Sequence, residues 1–294
     1  ANITVYGNPS PHAVPMTLKA GPFIIVSGHD FHDLEMLLAQ SQGTGVNIYT
    51  HGEMLPGHGY EGLKKYPHLV GNFGGAWQEQ QKQFDNIPGC ILMTTNCLMK
   101  PRDSYKDRIY STNVVGWDGV KYIPRKENGE KNFSEIIQQA LALGGYDTDR
   151  DVRPTEPSDC PEYQQVDELL TGFAHEATLS HAGEIVQAVK DGQIRHFFLI
   201  GGCDGARPGR NYFTKFAQLV PEDCVILTLA CGKYRFNKLD FRTVAGLPRL
   251  LDVGQCNDAY SAVRIATALA DAFDTDVNSL PLSMILSWYE QKAV

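Results

Sequence analysis

The chain has 294 residues, 43% of them hydrophobic and 20% charged, and its acidic residues outnumber its basic ones by 34 to 26. That length exceeds a single domain of roughly 100 to 200 residues, so two domains are expected. The sequence lacks the basic patches of a nucleic-acid binder, the apolar run of a membrane span and the pattern of a secretory signal, so we expect a cytoplasmic protein that contacts neither nucleic acid nor membrane.

Short apolar runs followed by glycine-containing turns and amphipathic helices fill the first half, which is typical of βα units and a parallel sheet. Strands are predicted at residues 23–26, 46–50 and 91–95. A helix opened by Asp30 follows the first strand, and another is predicted at residues 133–143.

Residues 146–169 are rich in Asp, Glu and Pro, and they predict a solvated connection between two domains. The boundary is expected near Thr171, which divides the chain into residues 1–170 and 171–294. The second half repeats the βα pattern, with strands predicted at residues 196–200, 225–229 and 250–253 and helices at 185–189 and 262–273. The sequence therefore predicts two α/β domains with parallel sheets.

Residues able to bind metal follow the predicted strands. The carboxyl ends of parallel strands open onto a common crevice, so side chains from separate segments are expected to converge there. One such residue alone is more simply a buried core residue, but four cysteines in equivalent places favour a metal site. The candidates are His29, His51, Glu53, Cys97, Cys203, Cys231 and Cys256, whereas Cys90, Cys160 and Cys224 are interpreted as structural.

The kind of metal follows from the donor types. A single structural zinc takes four ligands, usually with closely spaced cysteine pairs that are missing here. Thiolates select iron-sulfur chemistry, while imidazole and carboxylate suit iron with oxygen ligands. The set therefore predicts a polynuclear cluster with a sulfur side and an oxygen side, and the oxygen side is expected to face substrate.

Three other motifs are weaker. His175 and His181 are six residues apart, so a helix does not place them on one face as a zinc protease requires. The turn at residues 201–205 matches neither common phosphate-binding loop, which leaves nucleotide binding as a weak alternative. Cys203 at a helix start is a conceivable nucleophile, but no base can be assigned to it.

Seven segments resemble the successive motifs of hybrid-cluster (prismane, hydroxylamine reductase) proteins, in the same order and from about Pro22 onward. They are SGHDFHDLEMLL, YTHGEMLPGHGY, TTNCL, IGGCDGARPGRNY, LACGKYRFNK, DVGQCNDAYSA and LSWYEQKAV. The resemblance implies two Rossmann-like domains around a hybrid [4Fe-2S-2O]-type cluster. It also implies the ligands His29, Glu53, Cys97, Cys203, Cys231, Cys256 and Glu290, of which Cys203 matches the cysteine that carries an extra sulfur in oxidised family members.

The activity that the resemblance implies is reduction of hydroxylamine by two electrons and two protons to ammonia and water, with nitric oxide as another substrate. Glu53 and Glu290 are the expected catalytic residues, because carboxylates beside the iron can change coordination or protonation. Lys292 and His51 are candidates for assisting them from outside the ligand set. The alternative, weighted about equally, is that Lys292 is a solvent-facing helix residue and His51 a turn residue hydrogen-bonded to backbone. An electron-donating reductase is the expected partner.

The family also has an N-terminal helical region with its own iron-sulfur cluster, and nothing in these 294 residues matches it. We therefore expect the chain to be the C-terminal, cluster-binding part of such a protein, with its second domain truncated after the Glu290 motif. Two alternatives remain open at this stage. One is a non-catalytic iron-sulfur redox or nitric-oxide-sensing protein, and the other is a cluster-free α/β binding module.

Overall fold

The computed structural model describes residues 2–151 and 164–287. Three residues of the sequence predictions, Cys160, Glu290 and Lys292, lie outside these ranges. The described residues form a mixed α/β structure with two parallel sheets, one in each half of the chain. The prediction of an α/β fold with mainly parallel sheets is therefore confirmed.

The elements of the first half are α1 (Asn2–Tyr6), β1 (His12–Pro15), β2 (Thr17–Leu18), β3 (Phe23–Ser27), α2 (Phe31–Ser41), β4 (Asn47–His51), α3 (Glu61–Lys64), β5 (Leu69–Gly74), α4 (Gln80–Gln83), β6 (Cys90–Met93), β7 (Ile109–Ser111), β8 (Lys121–Tyr122), α5 (Ser134–Leu143) and β9 (Arg150–Asp151). Those of the second half are β10 (Glu168–Thr171), α6 (His175–Leu179), α7 (Ala182–Lys190), β11 (His196–Gly202), α8 (Tyr212–Leu219), β12 (Cys224–Leu229), β13 (Thr243–Val244), β14 (Leu247–Pro248), β15 (Leu250–Gly254), α9 (Ala259–Ala272) and β16 (Leu282–Ser287).

The six-stranded sheet of the first half has the order β5-β4-β3-β6-β7-β8, and its strands are parallel. The central strand β3 reads FIIVS and is buried at every position, because the sheet is covered on both faces. Ile24 and Val26 pack with α2 and α5 on one face, while Phe23 and Ile25 pack with Phe84 on the other. The carboxyl ends of β3 and β4 therefore lie side by side at one edge.

The four-stranded sheet of the second half has the order β15-β12-β11-β16 and is also parallel. Apolar residues of α7 and α9 cover one face, and Phe236 and Phe241 lie in the core cluster of the other. Strands β11, β12 and β15 end directly before Cys203, Ala230 and Gln255. Three of the predicted ligand cysteines thus follow neighbouring strand ends.

Two short antiparallel pairs were not revealed by the sequence, and the first of them joins the two halves. Strand β10 pairs with β1, and β9 pairs with β2. The predicted connection at residues 146–169 thus includes ordered pairing at β9 and β10, and residues 152–163 of it lie outside the described part. Strand β10 runs across the predicted boundary between residues 170 and 171. The division of the chain into two domains at that point therefore stays a proposal.

No helix in the described part of the chain has the length and apolar character needed to cross a bilayer.

Stability is expected to fall in mild acid because of His58. This residue is 2% exposed, its Nε2 lies 3.0 Å from Thr50 Oγ1, and burial lowers its pKa from 6.5 to about 3. The unfolded chain takes up a proton near the ordinary value while the folded chain stays neutral, so the unfolding free energy decreases as the pH falls below that value. At about 1.4 kcal/mol per pKa unit, His58 alone lowers it by about 2 to 3 kcal/mol between about pH 7 and pH 4.5.

Urea unfolding across this pH range checks the expectation. His58→Gln is expected to show a shallower acid slope than the wild type, whereas His181→Gln, at an exposed histidine, serves as the matched control. An unchanged slope in His58→Gln would contradict the assignment.

Candidate metal centre

The first part of the site is built from the ends of β3 and β4. Gly28 follows β3 with φ of 101°, and a Cβ there would lie 2.4 Å from Thr94 Oγ1, so only glycine allows this approach to the end of β6. The His29 N–H then donates to Thr95 Oγ1 at 3.0 Å. His29 Nε2 lies 2.8 Å from Oε2 of Glu53, which is 5% exposed and follows β4.

Cys256, in the turn after β15, brings the second half to the same carboxylate. Its N–H donates to Glu53 Oε2 at 3.0 Å, and its thiol also hydrogen-bonds to Glu53. The ligand atoms of His29, Glu53 and Cys256 all lie within 4.8 Å of one another. Burial alone would raise the pKa of Glu53, but the hydrogen bond and charge of His29 and the bonds from Cys256 outweigh it and bring the pKa to about 2.

Cys231 occupies the end of β12 and is 2% exposed. Burial, followed by the negative charges of Glu53, Cys97 and Cys203, raises its pKa well above the ordinary value for a thiol. The predicted sulfur ligands therefore share one electrostatic environment with Glu53. A Cβ on the neighbouring Gly232 would lie 2.9 Å from the backbone of Gly201 and Gly202, so this glycine lets the ends of β11 and β12 approach closely.

Gln255 links the two halves and was not singled out from the sequence. Its side chain is fully buried, and its Nε2 donates to the backbone oxygens of His29 at 3.2 Å and Glu53 at 2.7 Å. One amide of the second half thus holds two of the three predicted ligands of the first half. Adjacency to Cys256 was the only signal in the sequence.

Replacing Gln255 with Leu is expected to weaken both the fold and the site. The change leaves two buried carbonyls without this donor, and each loss costs about 1–3 kcal/mol. Gln187→Leu, on the exposed side of α7, is the matched control and is expected to stay within about 0.5 kcal/mol of the wild type. Urea unfolding measures the difference, and equal stability of the two variants would contradict the role given to Gln255.

His51 lies in a different environment from the other candidates. Ser27 Oγ is 2.9 Å from its Nδ1, and Gln83 Oε1 is 2.8 Å from its Nε2. A carbonyl oxygen only accepts, so Nε2 carries the proton and Nδ1 accepts from the serine. Burial lowers the pKa of His51 to about 4, which keeps the ring neutral. Its suggested assistance to catalysis stays a prediction.

The remaining cysteines of the described part occupy the opposite strand ends. Cys90 is the first residue of β6 and Cys224 the first of β12, and both are buried. Burial raises the pKa of each thiol. This placement suits the structural interpretation given to them.

The chemistry of the donor set indicates which group it suits. One imidazole, one carboxylate and one thiol lie within 4.8 Å of one another, with Glu53 buried and His29 and Cys256 partly buried. The thiols of Cys97, Cys203 and Cys231 are near enough to interact electrostatically. Soft sulfur with harder nitrogen and oxygen suits iron in a mixed cluster better than a closed zinc site. The residues therefore fit an iron-sulfur-oxygen group.

Comparison with known proteins gives a match to the family described as Prismane/CO dehydrogenase over residues 1–294. The chain is 58% identical over 295 residues to a hydroxylamine reductase of Geobacter metallireducens. The aligned region covers 100% of this chain and 50% of the relative. It is 59% identical to the hydroxylamine reductase of Geobacter sulfurreducens, over 98% of this chain and 49% of that protein. The chain thus spans about half the length of these relatives.

Solved structures show the same fold at low sequence identity. The Ni-free carbon monoxide dehydrogenase of Thermococcus sp. AM4 aligns with a TM-score of 0.68 and 19% identity, over 98% of this chain and 50% of that one. Carbon monoxide dehydrogenase IV of Carboxydothermus hydrogenoformans aligns with a TM-score of 0.68 and 15% identity. That alignment covers 99% of this chain and 53% of the dehydrogenase chain. At these identities the likeness is one of fold alone.

Proposed function

This chain belongs to the Prismane/CO dehydrogenase family, as its resemblance to hybrid-cluster proteins predicted, and on that premise we propose that it is the cluster-bearing part of a hydroxylamine reductase. The proposed reaction converts hydroxylamine, two electrons and two protons to ammonia and water. The observation that carries the proposal is the convergence of His29, Glu53 and Cys256 from both halves of the chain, with their ligand atoms within 4.8 Å of one another.

The proposed ligands are the seven residues matched by the family motifs. The six in the described part are His29, Glu53, Cys97, Cys203, Cys231 and Cys256, and Glu290 lies outside it. We propose a hybrid [4Fe-2S-2O]-type cluster as the group they hold. When bound, it supplies electrons and a Lewis-acidic metal for an N–O bond to be reduced.

The protein's own contribution is to hold the oxygen side of the site in place. Glu53 is fixed by His29 and the Cys256 N–H, so its carboxylate is pre-aligned and stays ionised near neutral pH, because its pKa is about 2. Glu53 and Glu290 are the proposed catalytic residues, with Glu53 orienting the substrate beside its Oε2. Lys292 and His51 are proposed to assist them in proton delivery.

The proposed partners are a small nitrogen-oxide substrate and an electron-donating reductase, and the proposed compartment is the cytoplasm. Nitric oxide is a second candidate substrate, because the same electron-rich site would reduce another small N–O species. The names of the relatives favour hydroxylamine.

Steady turnover under anaerobic conditions tests the proposal. With a chemical reductant and iron-loaded protein, we expect one ammonia for each hydroxylamine consumed, since reduction breaks the single N–O bond. Iron-loaded protein without turnover would support the sensor alternative and contradict the enzyme. Protein that takes up no iron would favour the cluster-free binding module.

A further inference from the structure

A short segment of the first half, residues 77–80, contacts the predicted sulfur ligands of both halves, and we call it the sulfur strap. It begins at Trp77, where the chain leaves β5 through two glycines, and runs through the 3-10 turn Trp77–Glu79 into the first residue of α4. The sequence analysis gave it no role. Its contacts involve three of the four cysteines proposed to bind the cluster.

The first contacts cross from one half to the other. The indole Nε1 of Trp77 and the amide Nε2 of Gln78 each donate to the backbone oxygen of Cys203 at 3.1 Å. Trp77 packs against the buried cluster that contains Ala76 and Cys231, and its backbone N–H is the hydrogen-bond donor that acts against the rise in the pKa of the Cys231 thiol. The strap thus bonds to the residues that follow both β11 and β12.

The remaining contact is within the first half. The Nε2 of Gln80 donates to the backbone oxygen of Cys97, and its Oε1 accepts the Met99 N–H at 3.1 Å. Asn96 and Cys97 have φ of 46° and 56°, a left-handed conformation that non-glycine residues hold only with outside support. Gln80, which is 1% exposed, thus holds the backbone directly after the Cys97 side chain through two hydrogen bonds.

Close packing fixes the strap against the second half. A Cβ on Gly205 would lie 2.3 Å from the Ala76 Cβ and 2.3 Å from the Cys231 oxygen. Only a glycine in the loop after β11 leaves room for the residue that precedes the strap. The loop and the strap therefore pack closely against one another, and this packing holds the hydrogen-bonding groups of the two halves in contact.

From these contacts we infer that Trp77, Gln78 and Gln80 are positioning residues for the cluster's sulfur ligands, and that the Trp77 N–H raises the reduction potential of the bound cluster. A hydrogen bond to a ligating sulfur stabilises negative charge on it, and the reduced cluster carries more negative charge than the oxidised one. The donor therefore favours reduction. This inference rests on the proposed function and deepens it.

Two substitutions at Trp77 separate the backbone donor from the side chain. Trp77→Ala and Trp77→Pro both remove the indole, but only proline removes the N–H. Proline is compatible with this position, because residue 77 is the first of its turn and Ala76 has φ of −71° and ψ of 158°, the conformation preferred before proline. Circular dichroism confirms that each variant is folded.

Reduction potentials are then measured by redox titration followed by electron paramagnetic resonance. The cluster of Trp77→Pro is expected to have a more negative midpoint potential than that of Trp77→Ala, while both hold iron. Equal potentials in the two variants would overturn the electronic part of the inference and leave the proposed function intact. Wild-type protein that takes up no iron would overturn the proposed function and the inference together.

A second pair of variants tests positioning without relying on Trp77. Gln80→Met keeps the length of the side chain but loses both hydrogen bonds, and we expect about 10- to 100-fold weaker retention of iron against a chelator. Gln81→Met is the matched control, since the Gln81 amide bonds to the Lys100 oxygen at 2.7 Å and, among the residues that the structure describes, to no proposed ligand. Equal iron retention in Gln80→Met and Gln81→Met would overturn the positioning role.

Discussion

Replacing Lys131 with Met is expected to destabilise the protein by about 3–5 kcal/mol, because it leaves the buried carboxylate of Asp33 without its counter-charge. The side chains of this ion pair are fully buried, with 0% exposure on each. Asp33 Oδ2 also accepts from Thr112 at 2.6 Å and from Asn113 at 3.0 Å, and Asn113 Oδ1 accepts from Lys131 at 2.7 Å. Within the described part of the chain, Lys131 is the ammonium of this network, so its loss leaves Asp33 with neutral hydrogen-bond donors alone.

The network matters for the site because it fixes the start of α2. Asn113 donates to Asp30 Oδ2 at 3.1 Å, and Asp30 caps the helix through the N–H groups of His32 and Asp33. His29 directly precedes this cap. Loss of Lys131 is thus expected to loosen the position of His29 as well as the fold.

Urea unfolding provides the measurement, with Lys121→Met as the matched control. Lys121 pairs with Glu135 at 2.9 Å, but the two side chains are 42% and 69% exposed, so this loss should cost less than about 1 kcal/mol. The double variant with Asp33→Asn should recover part of the stability lost by Lys131→Met, because the unpaired charge is gone. Equal effects of the Lys131 and Lys121 substitutions would contradict the assignment.

Replacing Cys231 with Ser is expected to weaken iron binding by more than the roughly 10- to 100-fold that loss of a residue outside the ligand set produces, so the variant should retain little iron. Cys231 is buried at the end of β12, beside Glu53, Cys97 and Cys203, so a hydroxyl there removes a soft donor at the centre of the proposed set. Iron and acid-labile sulfide per chain are measured after anaerobic preparation.

Cys224→Ser is the matched control, because it makes the same chemical change at the opposite end of β12. Cys224 Sγ lies 3.3 Å from Asp223 Oδ1 and is not a proposed ligand. The control is expected to keep the wild-type iron content. A cluster that survives Cys231→Ser, or that is lost equally in Cys224→Ser, would remove Cys231 from the ligand set.

The sequence predicted that residues following parallel strands would converge. His29 and Glu53 follow β3 and β4 of one sheet and Cys256 follows β15 of the other, and their ligand atoms lie within 4.8 Å of one another. Their role as metal ligands stays a prediction. Apolar runs were enough to locate β3, β4, β11, β12 and β15. Strand β5 was missed because its sequence, LVGNFG, contains two glycines and an asparagine, and β7 because it has only three residues.

The supporting contacts of the site were not predictable for a different reason. Gln78, Gln80 and Gln255 act on backbone oxygens, which every residue carries, so no pattern of residue types identifies the partners. The left-handed backbone at Asn96 and Cys97 was also not predictable, because its only sequence signal is Asn96, a residue type that adopts this conformation more readily than most. Such contacts become visible only when the two halves are placed together.

The most direct measurement of the central claim is the number of irons and acid-labile sulfides per chain in anaerobically prepared wild-type protein, together with its electron paramagnetic resonance spectrum. Several irons per chain with fewer sulfides than irons, and a paramagnetic signal that disappears in Cys231→Ser, are the predicted result. No iron, or a single zinc that persists in Cys231→Ser, would contradict the assignment of this site as an iron-sulfur-oxygen centre.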